Sequence, residues 1–120
     1  MSKVFKILIV DDNSIARLAI KRILSKNSNL EIVGEVGNYK YVLDFFNREE
    51  IDIVLIPEKM GIINGNKIIE FLNKEYPKLK ILITITNYPE EKVKKDGIYF
   101  LDKWEVYNGN LNELILKNVS

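Results

Sequence analysis

Cysteine and histidine are both absent from this chain of 120 residues. Their absence excludes disulfides, zinc sites built from Cys and His, and imidazole general bases. It also excludes Ser-His-Asp and Cys-His catalytic arrangements, so most hydrolase chemistry is ruled out. We therefore expect a protein that is not an enzyme.

An excess of charge of one sign is also lacking, as are long hydrophobic runs. Lys and Arg number 18 and Asp and Glu number 17, giving a net charge of +1. Such a chain has no global field to attract nucleic acid or an anionic membrane, and no basic recognition helix is evident. No stretch reaches the roughly 20 apolar residues that cross a bilayer. We expect a cytoplasmic protein that binds neither nucleic acid nor a membrane directly.

The remaining composition is that of an ordinary globular protein. Hydrophobic residues make up 47% of the chain and charged residues 29%. A chain of this length suits one domain with one core. No linker or low-complexity run interrupts it, and we predict a single domain over residues 1–120.

Short apolar runs alternate with amphipathic stretches along the whole chain. Strands are predicted at residues 6–10, 31–35, 53–56, 81–85 and 98–101. Helices are predicted from Ser14 to the polar residues 25–29 and over 39–48, 67–75, 90–95 and 111–117. In the first, Ser14 is the expected cap, and the following residues recur at helical spacing: Ile15, Leu18, Ala19, Arg22 and Ile23. In the last, one face is predicted to carry Leu111, Leu114 and Ile115.

This alternation predicts a parallel sheet covered by helices on both faces. Right-handed crossovers and one reversal of strand order give the order 2-1-3-4-5, the flavodoxin-like (βα)5 three-layer sandwich. In such sheets ligands bind beyond the carboxyl ends of the strands, near the switch point between strands 1 and 3. The residues expected at that edge are Asp11, Asp12, Pro57, Glu58, the turn at 84–87, Asp102 and Lys103.

The adjacent carboxylates Asp11 and Asp12 follow the first strand directly. Such a pair can chelate a hard divalent cation such as Mg²⁺, which prefers oxygen ligands. The alternative is that both residues only end the strand and favour the N-terminus of the following helix. The pair alone does not decide between these interpretations.

Motifs along nearly the full length match one family. They are Ile7-Leu-Ile-Val-Asp-Asp12, Ile51-Asp-Ile-Val-Leu-Ile56, Lys59-Met60 with Asn64-Gly65, Thr86-Asn-Tyr-Pro89 and Tyr99-Phe-Leu-Asp-Lys103. In this order and at these intervals, the chain resembles the receiver domain of bacterial two-component response regulators. The resemblance implies a phosphorelay signalling domain that receives phosphate from a histidine kinase.

The resemblance also implies roles for individual residues. Asp11 and Asp12 match the family's Mg²⁺-binding pair, and Lys103 matches the lysine that contacts the phosphate. For the Thr or Ser that senses the phosphate, Thr86 is preferred and Thr84 is the alternative.

The family's phosphate-accepting aspartate falls at Pro57, which has no nucleophilic group. The same aspartate is also a metal ligand, so we expect no Mg²⁺ or only weak binding. Glu58 can mimic a phosphoaspartate and pair with Lys103 only if Pro57 induces a bulge, because strand side chains alternate. Glu58 is also a candidate for a displaced acceptor. Asp52 is a poorer candidate because it lies at the opposite end of the strand. Without metal or phosphate, Lys103 can instead pair with the two aspartates.

Four aromatic residues surround the fifth predicted strand. They are Tyr99, Phe100, Trp104 and Tyr107, and they either pack in the core or form an interaction surface. We predict a phosphorylation-independent receiver that binds a protein, a histidine kinase included, or itself through the fourth-helix, fifth-strand and fifth-helix face. The alternatives are a receiver that uses a displaced carboxylate and a flavodoxin-like module for a small ligand. A small-ligand module is disfavoured because no Gly-rich phosphate loop follows the first strand.

Overall fold

The structure is a computed structural model, and it describes residues 3–86, 96–107 and 111–119. The helix predicted over residues 90–95 lies outside the described residues. The principal extents of the molecule are 39 × 31 × 27 Å.

Five parallel strands form the central sheet in the order β2-β1-β3-β6-β7. These strands are β1 (Phe5–Val10), β2 (Leu30–Val36), β3 (Ile53–Pro57), β6 (Lys80–Ile85) and β7 (Ile98–Asp102). Two short antiparallel strands, β4 (Lys59–Met60) and β5 (Ile63–Asn64), form a hairpin after β3. The predicted order 2-1-3-4-5 is therefore confirmed.

The central strands β1, β3 and β6 are hydrophobic on both faces because both faces of the sheet are covered. Ile7 and Ile9 of β1 belong to one core cluster, and Leu8 and Val10 belong to the other. All five residues of β3 are buried. The absence of polar alternation in these runs, from which buried strands were predicted, follows from this packing.

Helices cover both faces of the sheet. They are α1 (Ser14–Leu24), α2 (Val42–Arg48), α3 (Asn66–Glu75), α4 (Lys103–Tyr107) and α5 (Leu111–Val119). Ile20 of α1 and Ile115 of α5 pack on one face, and Val42 of α2 and Leu72 of α3 pack on the other. The predicted three-layer flavodoxin-like fold is confirmed. Among the helices in the described ranges, none combines the length and apolar character needed to cross a membrane.

The predicted cap of α1 is wrong, and the stripe of residues noted at helical spacing is not the one buried most deeply. Asn13 caps the helix, and its side chain accepts hydrogen bonds from the backbone N–H groups of Ile15 (2.9 Å) and Ala16 (3.1 Å). Ile15 is 76% exposed and Leu18 is exposed. The buried positions are Ala16, Ile20 and Leu24. Two neighbouring stripes of this helix carry apolar residues, and helical periodicity alone does not say which one faces the sheet.

Two further local structures differ from the prediction. The predicted helix over residues 39–48 begins with a separate 3₁₀ turn, Tyr39–Tyr41, before α2. Helix α4 was not predicted, because five residues are too few to show helical periodicity. It starts directly after β7, where the Asp102 carboxylate accepts a hydrogen bond from the Trp104 backbone N–H at 2.9 Å.

Candidate functional site at the carboxyl edge of the sheet

Pro57 is the last residue of the central strand β3. Pairing between β3 and β6 continues to Pro57 and Thr84, whereas pairing between β1 and β3 ends at Ile9 and Leu55. The Glu58 N–H donates to the Thr84 carbonyl on β6 at 3.1 Å. Successive backbone N–H groups of a strand point alternately to its two neighbouring strands. The nitrogen of Pro57, which carries no hydrogen, therefore points towards β1, where the pairing has already ended. A proline is tolerated in this central strand for that reason.

The backbone carbonyl of Pro57 accepts a hydrogen bond from a side chain of another element. The Tyr39 hydroxyl donates to the Pro57 carbonyl oxygen at 2.5 Å, and Tyr39 is buried. The Tyr39 ring also lies against Gly65, where an added Cβ would approach the hydroxyl oxygen to 2.7 Å. Gly65 caps α3, and its N–H donates to the Glu58 carbonyl at 2.8 Å. One phenol thus contacts both ends of the connection from β3 to α3.

Three carboxylates lie close enough to Tyr39 to act on its ionisation. Burial raises the pKa of the Tyr39 phenol, and the negative charges of Asp12, Glu58 and Asp11 raise that pKa further. The phenol therefore stays protonated and remains a hydrogen-bond donor at neutral pH. The pKa of Tyr107 is also raised, first by burial and then by Asp11.

The two aspartates after β1 have different environments. Asp11 is buried, and its carboxylate accepts a hydrogen bond from the Asn13 N–H at 2.9 Å. Asp12 is exposed. The Arg17 guanidinium donates to the Asp11 backbone carbonyl at 2.7 Å. Helix α1 is thereby attached to the end of β1.

Arg17 also forms an ion pair with Glu35, which pairs with Lys21 as well. Glu35 on β2 accepts from Arg17 Nε at 2.9 Å and from Lys21 Nζ at 2.5 Å. The contact with Lys21 lowers the pKa of the Glu35 carboxyl most, and the contact with Arg17 lowers it further. Partial burial of Glu35 opposes this shift. This group connects α1 to β2.

The residues present do not form the metal site that the resemblance implies. Mg²⁺ requires an octahedral set of oxygen ligands, usually with more than one protein group. Pro57 supplies no carboxylate, and its carbonyl is bonded to Tyr39. Within the described ranges, no three acidic, His or Cys side chains are grouped to hold a metal ion. Asp11 and Asp12 therefore form only part of such a site.

A surface depression of about 150 Å³ lies at the edge where the functional site was predicted. Its lining brings together Pro57, Glu58, Lys59, Thr84, Ile85, Thr86 and Lys103. Thr84 is buried beside Pro57, and Thr86 is exposed at the end of β6. Most of the predicted site residues therefore do meet, with Asp11 and Asp12 outside the lining.

Two of the possibilities that the sequence left open at this edge are not realised in the structure. In the described part of the chain, both side-chain ion pairs involve Glu35, so Lys103 does not form the ion pair with the aspartates that the sequence allowed. The register between β3 and β6 is regular through Pro57, so Pro57 induces no bulge. The condition under which Glu58 takes the acceptor's direction is therefore not met, although Glu58 lines the depression.

The four aromatic residues near β7 do not form one cluster. Tyr99 packs against the core cluster under α1 and α5, and Phe100 packs against the cluster on the opposite face. Trp104 is 75% exposed and Tyr107 is exposed. Tyr39 is a contact residue that the sequence did not indicate, and no local motif distinguishes it. Lys59 belongs to a matching motif, but no role at the site was assigned to it.

Comparison with known proteins decides the family. Residues 7–102 match the model of the response regulator receiver domain. The chain belongs to this receiver domain family.

Curated relatives of this receiver domain are longer proteins. It is 30% identical over 87 residues to the response regulator protein VraR of Staphylococcus aureus, covering 72% of this chain and 41% of VraR. It is 30% identical over 81 residues to a protein-glutamate methylesterase/protein-glutamine glutaminase of Paramagnetospirillum magneticum, covering 68% of this chain and 21% of that protein. The chain therefore spans between about a fifth and two fifths of these relatives.

Solved structures support the fold of this receiver domain. The non-phosphorylated receiver domain of RcsB from Escherichia coli matches with a TM-score of 0.78 at 15% identity, covering 95% of this chain and 92% of that one. RcsB from Salmonella typhimurium matches with a TM-score of 0.78 at 16% identity, covering 95% and 59%. At these identities the likeness concerns the backbone arrangement.

Proposed function

We propose that this receiver domain is not phosphorylated at position 57, has no catalytic activity of its own, and acts through phosphorylation-independent protein–protein interaction. The observation that carries the proposal is the buried Pro57 at the end of β3. Its side chain has no oxygen to attack a phosphoryl donor, and its backbone carbonyl is bonded to Tyr39. The position that the family uses for covalent control has no group for that chemistry.

Neither nearby carboxylate on the same strand segment is placed to replace the missing aspartate. Glu58 follows the last paired residue of β3, and because side chains alternate along a strand, we expect its carboxylate on the face opposite to that of Pro57. Asp52 precedes β3 at the other end, where its carboxylate accepts from the Lys6 N–H at 2.8 Å. These placements favour loss of the acceptor over its displacement.

The interaction surface proposed for this domain includes α4. Trp104 and Tyr107 on α4 are exposed, and α1, which contacts α4, exposes Ile15 and Leu18. Aromatic side chains on a surface are typical of binding hot spots. The partner is a protein, which includes a histidine kinase or a second copy of this chain. The predicted face also included residues 90–95, outside the described ranges.

Intact mass spectrometry after incubation with acetyl phosphate and Mg²⁺ tests the proposal. We expect no added phosphoryl group, because neither acceptor nor complete metal site is present. A stoichiometric adduct would overturn the proposal. Peptide mapping of such an adduct to Glu58 or Asp52 would support the displaced-carboxylate alternative instead. Beryllofluoride, which imitates a bound phosphoryl group, should leave the amide NMR shifts of Thr84 and Thr86 unchanged.

A further inference from the structure

Tyr39 contacts the carboxyl edge from outside the residues that the family's chemistry uses. It lies in the 3₁₀ turn after β2, which Asn38 begins by accepting from the Lys40 N–H at 3.0 Å. From there its hydroxyl reaches Pro57, 18 positions later in the chain. The bond joins the β2–α2 connection to the end of β3.

The second contact of Tyr39 is at the start of α3. Any side chain at Gly65 would place its Cβ 2.7 Å from the Tyr39 hydroxyl oxygen and 2.8 Å from the ring carbon that bears it, so the ring occupies the space beside Gly65. Gly65 is itself tied to the strand end, since its N–H donates to the Glu58 carbonyl at 2.8 Å. Tyr39 therefore closes a set of contacts around the hairpin of residues 58–64.

From this geometry we infer that Tyr39 is a permanent latch, which holds the end of β3 and the start of α3 in one conformation without phosphate or a metal ion. A receiver controlled at its strand end needs that end to adopt two arrangements. Here the Pro57 carbonyl is bonded to a buried phenol, and the ring leaves no free space beside Gly65. The set of metal ligands at this edge is incomplete. The hydrogen bond from Tyr39 therefore fixes the end of β3 without a metal ion.

The latch does not depend on the proposed absence of phosphorylation. A phosphoryl adduct in the mass measurement would overturn the proposed function and leave the latch untouched. The latch is tested separately, by the local opening of the segment that it holds. The two failures are therefore distinguishable.

Amide hydrogen exchange in Tyr39→Phe is the direct test, because this variant keeps the ring and removes only the donor. We expect exchange of the Glu58 and Gly65 amides to accelerate by about fivefold or more, since a typical net hydrogen bond corresponds to that ratio. The Lys80 amide, which donates to Asp52 at the opposite edge, should be unchanged. Tyr41→Phe is the matched control, because Tyr41 is exposed in the same turn.

Equal acceleration of all sheet amides in Tyr39→Phe would overturn the latch, because Tyr39 would then be an ordinary core residue. Unchanged Glu58 and Gly65 amides would overturn it as well. The unaltered protein provides an independent measurement. We expect no microsecond-to-millisecond exchange in NMR relaxation dispersion over residues 57–65, with or without Mg²⁺. Dispersion confined to that segment would show two states and contradict the inference.

Discussion

Pro57 on β3 lies directly opposite Thr84 on β6, and the pairing between these strands reaches them without a shift in register. The side chains of paired residues on parallel strands leave the sheet on the same face. Any side chain at position 57 therefore projects beside Thr84 into the depression that Lys103 also lines. The register at this edge stays regular although position 57 carries a proline.

Pro57→Asp should restore covalent phosphorylation for this reason. The new carboxylate would lie beside Thr84 and Lys103 and would supply the oxygen ligand that Asp11 and Asp12 lack. Intact mass spectrometry with acetyl phosphate and Mg²⁺ should show one phosphoryl group on the variant, lost when EDTA is added first. Pro57→Asn is the control, since it restores the N–H and the shape without the nucleophile. An adduct on Pro57→Asn, or none on Pro57→Asp, would contradict this account.

Glu35→Gln should lower the free energy of unfolding at pH 7 by about 0.5 to 1 kcal/mol, because it removes ion pairs that are partly screened by solvent. The folded pKa of Glu35 is lowered from its ordinary value of 4.5, so the stabilisation is present above that value. It is lost as the pH falls through the folded pKa. Urea unfolding at several pH values measures this difference between the two proteins.

Glu31→Gln is the control for Glu35, because Glu31 is an exposed carboxylate on the same strand. Its substitution should change stability by less than about 0.5 kcal/mol at every pH. If Glu35→Gln kept its full effect after the pH had fallen through the folded pKa of Glu35, the loss would come from packing and not from charge.

Gly34→Ala should destabilise the protein by about 1 to 3 kcal/mol, the usual cost of overpacking. The added Cβ would lie 2.2 Å from a ring carbon of Phe45, so the ring on α2 would have to move away from β2. In a Phe45→Ala background the same substitution should cost less than about 0.5 kcal/mol, because the clashing ring is gone. Equal costs in both backgrounds, measured by urea unfolding, would place the strain in the strand backbone instead.

The sheet could be predicted from sequence because its information is local and repeated. Runs such as Ile53 to Ile56 are apolar on both faces, and right-handed crossovers leave few possible orders for five parallel strands. The face of α1 could not be predicted, since Ile15 and Ile20 fall on different apolar stripes and only the tertiary packing shows that the stripe with Ile20 is buried. The role of Tyr39 was also out of reach, because its bond to Pro57 joins two separate segments and follows no motif.

Trp104→Ala should weaken binding through the proposed surface without lowering the stability of the domain. Trp104 is 75% exposed, so its loss should change the free energy of unfolding by less than about 0.5 kcal/mol. Val106 in the same helix is buried, and Val106→Ala should cost about 2 kcal/mol through lost burial and a residual cavity.

The same exposure makes Trp104 a probe of association, because it is the chain's one tryptophan. If copies of this chain associate through α4, quenching of its fluorescence by acrylamide should fall as the protein concentration rises. Sedimentation equilibrium should then show weaker association for Trp104→Ala than for the unaltered protein. Association that is unaffected by Trp104→Ala would move the interface away from α4. Destabilisation as large as that of Val106→Ala would instead identify Trp104 as a packing residue, because an exposed side chain has little packing to lose.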